Sequence, residues 1–224
     1  MRFLPVESIK SGVEEFFNLP MEEKNKFWQT PEEMQGFGQL YVALEEEKLR
    51  WGDMFFVKTF PLHRRNPYLN PYIPQPFSNE DGLLPSMSPT EQVIGLNPHS
   101  DVTAITILLE VNQVQGLQIK KDGMWIPINP LSNAFLVNVG DALEVLTNGI
   151  YKSIEHRVTV NSMKERISLA AFHNPRMSGH VGPIPSLVTL ETPALFKTIS
   201  TEDFVKKFLS SKINGKYYLD GLKI

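Results

Sequence analysis

From about residue 93 to residue 173, short runs of β-branched and aliphatic residues alternate with turn signals, and this rhythm restricts the fold more than any other feature of the chain. Thr103 to Leu109 is rich in Thr, Ile and Leu. Leu117 to Lys120 and Trp125 to Ile128 flank Asp122-Gly123, a pair suited to the positive φ angles of a two-residue hairpin turn. Ala134 to Val139 is another apolar run, closed by Gly140-Asp141. Tyr151 to Val160 and Arg166 to His173 read as two further strands joined by the polar loop 161–165, with Val160 opposite Arg166. Many short strands at regular spacing predict a sandwich or a jelly-roll barrel.

The flanks carry helices. Val6, Ile9, Val13, Phe16 and Phe17 recur at three- and four-residue spacing within a helical stretch over 6–28, interrupted at Pro20 and restarted by Met21-Glu22-Glu23-Lys24. Met54-Phe55-Phe56-Val57 reads as a buried strand, and Glu45-Glu46-Glu47-Lys48 as a solvated face. Residues 61–90 are dense in proline and include the turn cluster Asn79-Glu80-Asp81-Gly82, which predicts an extended connector containing a domain boundary. Near the C-terminus Ser200 and Asp203 form a capping-box pattern ahead of a helix with Phe204, Phe208 and Leu209 on its apolar face. The expected class is therefore mainly β with flanking helices (α+β).

Length and composition narrow the function. The 224 residues suffice for one sizeable core, or one core with a helical appendage. A net charge of -3 offers no basis for nucleic-acid or membrane binding, and a monomeric state is expected. The absence of cysteine excludes disulfides, thiolate metal sites and a cysteine nucleophile. No apolar run spans a bilayer, and Met1-Arg2-Phe3-Leu4-Pro5 lacks the apolar stretch of a secretory signal, so the expected location is cytoplasmic. There is no Gly-rich phosphate loop and no Gly-x-Ser-x-Gly elbow.

The residues with chemistry to offer are His99-Ser100-Asp101 and His156. Residues two apart on a strand share a face, so His99 and Asp101 can reach one ion, and the same alternation puts His156 among the apolar Ile154, Val158 and Val160. Two histidines and one carboxylate are the ligand set of a non-haem Fe(II) site that keeps open positions on the ion. A 2-oxo acid can fill two of those positions by chelation and leave one for O2. Arg166 and Ser168 share a strand face with Ala170 and Phe172. A planar guanidinium beside a hydroxyl suits the far carboxylate of a dicarboxylic acid. Phe172 alone among nearby aromatics has the parity to touch a substrate, whereas His63, His173 and His180 read as non-ligands. Spacing alone also admits His99 and His156 as ordinary core or turn histidines.

At these residues the chain closely resembles the plant 2-oxoglutarate- and iron-dependent dioxygenases, above all the branch of senescence-related proteins and alkaloid O-demethylases. The matching text runs through QVIGLNPHSDVTAITILLE (92–110), VQGLQIKKDGMWIPIN (114–129), AFLVNVGDALEVLTNGIYKSIEHRVTVN (134–161) and ERISLAAFHNP (165–175). EFFNLPMEEK (15–24), GFGQ (36–39) and WGDMFF (51–56) match upstream. The resemblance implies a double-stranded β-helix core (a jelly roll, cupin-like) with His99, Asp101 and His156 on Fe(II). It also implies Arg166 and Ser168 on the distal carboxylate of 2-oxoglutarate, and ascorbate as reductant. The reaction it implies is hydroxylation or O-demethylation of a small plant specialised metabolite, an alkaloid or flavonoid.

Two departures accompany this likeness. Members of the family begin well before this Met1. They also place a long helix and a strand of the Asn-Tyr-Tyr-Pro-Pro-Cys type between the equivalents of Ser78 and Gln92, where this chain has only NEDGLLPSMSPTE (79–91). The expected organisation is a remnant of an N-terminal helical region over 1–78, an atypical junction over 79–92, an incomplete β-helix core over 93–185 and a helical extension over 186–224. The alternative to an active dioxygenase is a catalytically impaired or non-catalytic metal-binding remnant of the family.

Overall fold

The computed structural model describes residues 6–30, 35–39, 53–58, 66, 69, 82–87, 94–161, 163–210 and 217–224. The acidic run 45–48, His63 and most of the proline-rich connector lie outside the described residues. In chain order the first elements are helix α1 (Val6–Phe17), helix α2 (Met21–Lys24), and strands β1 (Gly36–Gln39), β2 (Asp53–Val57), β3 (Gly82–Met87), β4 (Ile94–His99), β5 (Ile105–Glu110), β6 (Leu117–Lys121), β7 (Met124–Pro127) and β8 (Phe135–Val139). Helix α3 (Asp141–Leu146), strands β9 (His156–Thr159), β10 (Arg166–His173), β11 (His180–Val181) and β12 (Ile199–Ser200), and helices α4 (Thr201–Ser210) and α5 (Tyr217–Asp220) follow.

Two antiparallel sheets face each other. The larger runs β1-β2-β3-β10-β5-β8 and the smaller β4-β9-β6-β7. Their inner faces meet in a cluster of Leu108, Leu117, Val158 and Ala170, with Leu96, Ile128, Leu136 and Phe172 packed against it. Alternation along each strand creates these faces: Leu108 pairs with Ala170 on one side and Leu136 on the other, so one row of the larger sheet points inward. The β6–β7 hairpin forms at the predicted turn, with Asp122 at φ 51° and Gly123 at φ 79°.

The spacing of Val13, Phe16 and Phe17 builds the apolar stripe of α1, which packs on the outer face of the larger sheet with Phe37, Phe55, Val57, Val111 and Ile167. The ring of Phe16 lies 4.6 Å from that of Phe55 and 6.0 Å from that of Phe37. A separate cluster of Ala142, Val145, Val181, Phe196, Phe204, Leu219 and Leu222 binds α3 to the C-terminal elements. The capping box is present: the backbone N–H of Asp203 donates to Ser200 Oγ at 3.0 Å. Phe204 is buried and Phe208 stacks edge-on to Tyr218 at 5.5 Å, but Leu209 is exposed.

One sequence-based expectation is corrected. Tyr151–Val160 and Arg166–His173 do not form a hairpin, and Val160 does not face Arg166. The strand is shorter, His156–Thr159, and pairs with β4 and β6 in the smaller sheet, whereas β10 pairs with β3 and β5 in the larger one. The short loop carries the chain across the sandwich, and Asn161 Oδ1 turns it by accepting from the backbone N–H groups of Met163 and Lys164. Val158 of β9 and Ala170 of β10 lie together in the cluster between the sheets, and burying their faces against each other requires opposite sheets rather than neighbouring places in one sheet. Within the expected junction, Gly82–Met87 takes a strand position between β2 and β10, so strands from both sides of it share one sheet.

Candidate metal and co-substrate site

His99 ends β4, His156 opens β9, and the two are register partners. Strand β4 is irregular between Leu96 and His99, where Pro98 has no N–H to give to the ladder. Such an irregularity re-aims the side chain that follows. The imidazole centroids lie 4.3 Å apart. His99 Nε2 is 3.8 Å and His156 Nε2 is 3.7 Å from Asp101 Oδ1. The Nδ1 of His99 sits 2.7 Å from the carbonyl of Asn97, and that of His156 3.2 Å from the carbonyl of Ile154. A carbonyl only accepts, which assigns the proton to each Nδ1 and turns each Nε2 lone pair toward Asp101. The donor atoms of all three residues lie within 4.8 Å of one another. Two imidazole lone pairs and a carboxylate aimed at one point repel each other until a cation sits among them, and a mixed N/N/O set suits a divalent transition metal.

A second layer holds these donors, and the sequence did not reveal it. Asn138 donates from Nδ2 to Asp101 Oδ2 at 3.4 Å. Behind the His99–Asp101 turn lies Asp141, fully buried at the start of α3. Its carboxylate accepts from Ser100 Oγ at 2.7 Å, from Tyr218 Oη at 2.5 Å and from the hydroxyl of Ser153, while its backbone N–H donates to the carbonyl of Asp101 at 2.7 Å. Burial, together with the neighbouring Asp141, Glu144 and Asp101 carboxylates, pushes the Tyr218 hydroxyl far above the ordinary tyrosine range. It therefore stays protonated and donates to Asp141. Gly140 allows the close approach: a Cβ there would stand 2.0 Å from the carbonyl oxygen of Thr103. The one hint in the sequence was a polar Asn138 inside an apolar run followed at once by Gly140-Asp141.

Arg166, Ser168, Ala170 and Phe172 share the inward face of β10, with Phe172 half-buried against the central cluster. Phe172 pairs with Thr106, and Thr106 with Asn138, so this end of β10 stands beside the histidine–aspartate group. Ser168 lies four residues further on, roughly 13 Å along the strand. Arg166 is 3% exposed and donates from Nη1 to Ser168 Oγ at 3.2 Å. Gly116, on the facing sheet's side, leaves room for its stem: a Cβ there would lie 2.8 Å from Arg166 Cδ. The guanidinium also forms a short ion pair through Nη2 with Glu110 Oε1, a contact that the sequence reading missed. Glu110 lies directly opposite Ser168 on β5. Arg166 Nε and Glu110 Oε2 are both buried without a hydrogen-bond partner. His173 and His180 are exposed and are not part of the metal-ligating group.

Residues 62–175 match the model of the 2OG-Fe(II) oxygenase superfamily, and residues 5–76 match that of the N-terminal region of the non-haem dioxygenase in morphine synthesis. This chain belongs to the 2OG-Fe(II) oxygenase superfamily. It is 43% identical to Protein SRG1 of Arabidopsis thaliana, over 98% of this chain and 74% of that protein. It is also 43% identical to codeine O-demethylase of Papaver somniferum, over 99% of this chain and 73% of the relative. The SRG1 alignment spans 263 positions against the 224 residues here, so the relative carries residues that have no counterpart in this chain. A crystal structure of JOX2 in complex with 2OG, Fe and JA superimposes with a TM-score of 0.84 at 28% identity, covering 99% of this chain and 79% of that one. The superfamily consists of Fe(II)- and 2-oxoglutarate-dependent dioxygenases, and the two imidazoles and one carboxylate brought together here fit such an iron. Among the described residues no helix is long and apolar enough to cross a membrane.

Proposed function

We propose that this oxygenase hydroxylates or O-demethylates a small plant metabolite of the alkaloid or flavonoid class, as a cytoplasmic monomer using ascorbate to keep its iron reduced. His99 Nε2, Asp101 Oδ1 and His156 Nε2 hold Fe(II), and Arg166 with Ser168 holds the distal carboxylate of 2-oxoglutarate. The observation that carries this reading is the convergence of the three donors at one end of the sandwich and of a buried guanidinium and hydroxyl further along the same inward face. The names of two relatives, codeine O-demethylase and an oxoglutarate-dependent flavonoid 7-O-demethylase, support the substrate class.

Fe(II) held by these residues would supply the oxidation of a substrate C–H bond by O2, coupled to the conversion of 2-oxoglutarate to succinate and carbon dioxide, with one oxygen atom going to succinate and the other to the substrate as a hydroxyl. On a methoxy carbon the resulting hemiacetal releases formaldehyde and leaves a phenol or alcohol. The protein's own residues orient and exclude. The carbonyls of Asn97 and Ile154 fix the imidazole tautomers, and Asn138 steadies Asp101. Leu96, Leu117, Leu136 and Val158 keep water away from the path between the two ends of the site, and Phe172 lines the substrate's approach. Purified protein with Fe(II), 2-oxoglutarate, ascorbate and candidate methoxylated alkaloids or flavonoids should yield succinate above a His156→Ala control. Iron binding without succinate for any candidate would support instead the impaired, metal-binding form of the protein, a reading favoured by the Glu110 carboxylate on the Arg166 fork.

A further inference from the structure

Resting on the assignment of Arg166 and Ser168 to the distal carboxylate, we infer that Glu110 sets this enzyme's affinity for its dicarboxylate co-substrate by competing for the Arg166 guanidinium. A guanidinium offers a carboxylate two two-pronged edges, Nη1 with Nη2 and Nε with Nη2. Nη2 contributes one N–H to each, and Glu110 Oε1 takes one of them. Nη1 is turned to Ser168, and Nε is buried without a partner. Bidentate capture of an incoming carboxylate on the edge that Glu110 uses therefore requires Glu110 to leave. Capture on the other edge places two carboxylates on one cation in a site closed to water, since Arg166 is 3% exposed and the Glu110 side chain 10%. The second oxygen of Glu110 is equally unpartnered, so the pair is half-closed on both sides, and among the described residues the Glu110 carboxylate has no partner besides Arg166. A neutral amide at position 110 removes the repulsion while keeping the shape.

The test is equilibrium binding by calorimetry to the full chain loaded with Mn(II), which prevents turnover. Two probes separate the ends of the site: 2-oxoglutarate, and 2-oxobutanoate, which keeps the chelating end and lacks the distal carboxylate. In the wild-type chain the distal carboxylate should improve affinity by less than about tenfold. In Glu110→Gln 2-oxoglutarate should bind about tenfold tighter or better, with 2-oxobutanoate unchanged. The melting temperature should also rise more on adding 2-oxoglutarate to Glu110→Gln than to the wild type. Equal or weaker binding of 2-oxoglutarate by Glu110→Gln overturns the inference and leaves Glu110 as a support for Arg166. So does a hundredfold preference for 2-oxoglutarate already present in the wild type, a measurement that needs no variant. Arg166→Met tests the underlying assignment separately. It should weaken 2-oxoglutarate binding and spare 2-oxobutanoate, and if it spares both, Arg166 does not hold the distal carboxylate and the Glu110 inference falls with it.

Discussion

At the scale of single residues, the site depends on side chains that act on other side chains. Asn138 touches Asp101, not the metal position, and partners of this kind change metal affinity about 10–100-fold when removed. Asn138→Ala should therefore weaken Mn(II) or Fe(II) binding by that factor with little change in the melting temperature of the metal-free protein; calorimetry against the wild type measures it. Gly116 acts at the other end. An added methyl would meet Arg166 Cδ and the carbonyl of Thr159, both at 2.8 Å, and backbone cannot yield as a side chain can. Gly116→Ala should push Arg166 aside and raise the KM for 2-oxoglutarate while metal affinity holds, a separation visible in steady-state succinate assays beside metal titrations.

At the scale of elements, the helices C-terminal to the sandwich hold the His99–Asp101 turn in position. Tyr218 of α5 donates to Asp141, which grips Ser100 between His99 and Asp101. Tyr218→Phe should cost about 1.5–3 kcal/mol, the typical worth of a hydrogen bond to a charged partner, in chemical denaturation. The same bond predicts a pH dependence. Unfolded tyrosine loses its proton near pH 10, while the folded protein keeps the Tyr218 proton well beyond that. Above pH 10 the folded state therefore binds more protons than the unfolded state, so stability falls as pH rises. Melting temperatures between pH 8 and 11 should show that fall, and it should be shallower in Tyr218→Phe. The crossover between β9 and β10 belongs to this scale too. Period-two patterning showed which side of each strand is apolar, but a single strand does not carry the identity of its neighbours.

At the scale of the whole molecule, the N-terminal helix and the two-sheet sandwich share structure. Phe16 packs in one cluster with Val111, which follows β5, and with Ile167, between Arg166 and Ser168. Phe16→Ala should cost about 3–5 kcal/mol, and loss of α1 should coincide with loss of 2-oxoglutarate binding in one denaturation transition. Two separate transitions in circular dichroism and ligand-binding signals would show that the N-terminal packing is independent of the site. The sequence alone singled out the two histidines and the aspartate that the fold brings together, the arginine–serine pair on one strand face, the β6–β7 hairpin and the cap of α4. Each of these is a local matter: a residue type, a two-residue parity or a turn geometry that neighbouring positions fix. Only the tertiary structure decided that β9 and β10 lie in opposite sheets, that Gly82–Met87 fills a place between β2 and β10, that Asp141 ties α5 to the ligand turn, and that Glu110 sits on the arginine. All four depend on contacts between residues far apart in the chain, set by how two apolar faces close on each other and by which buried charges then need partners.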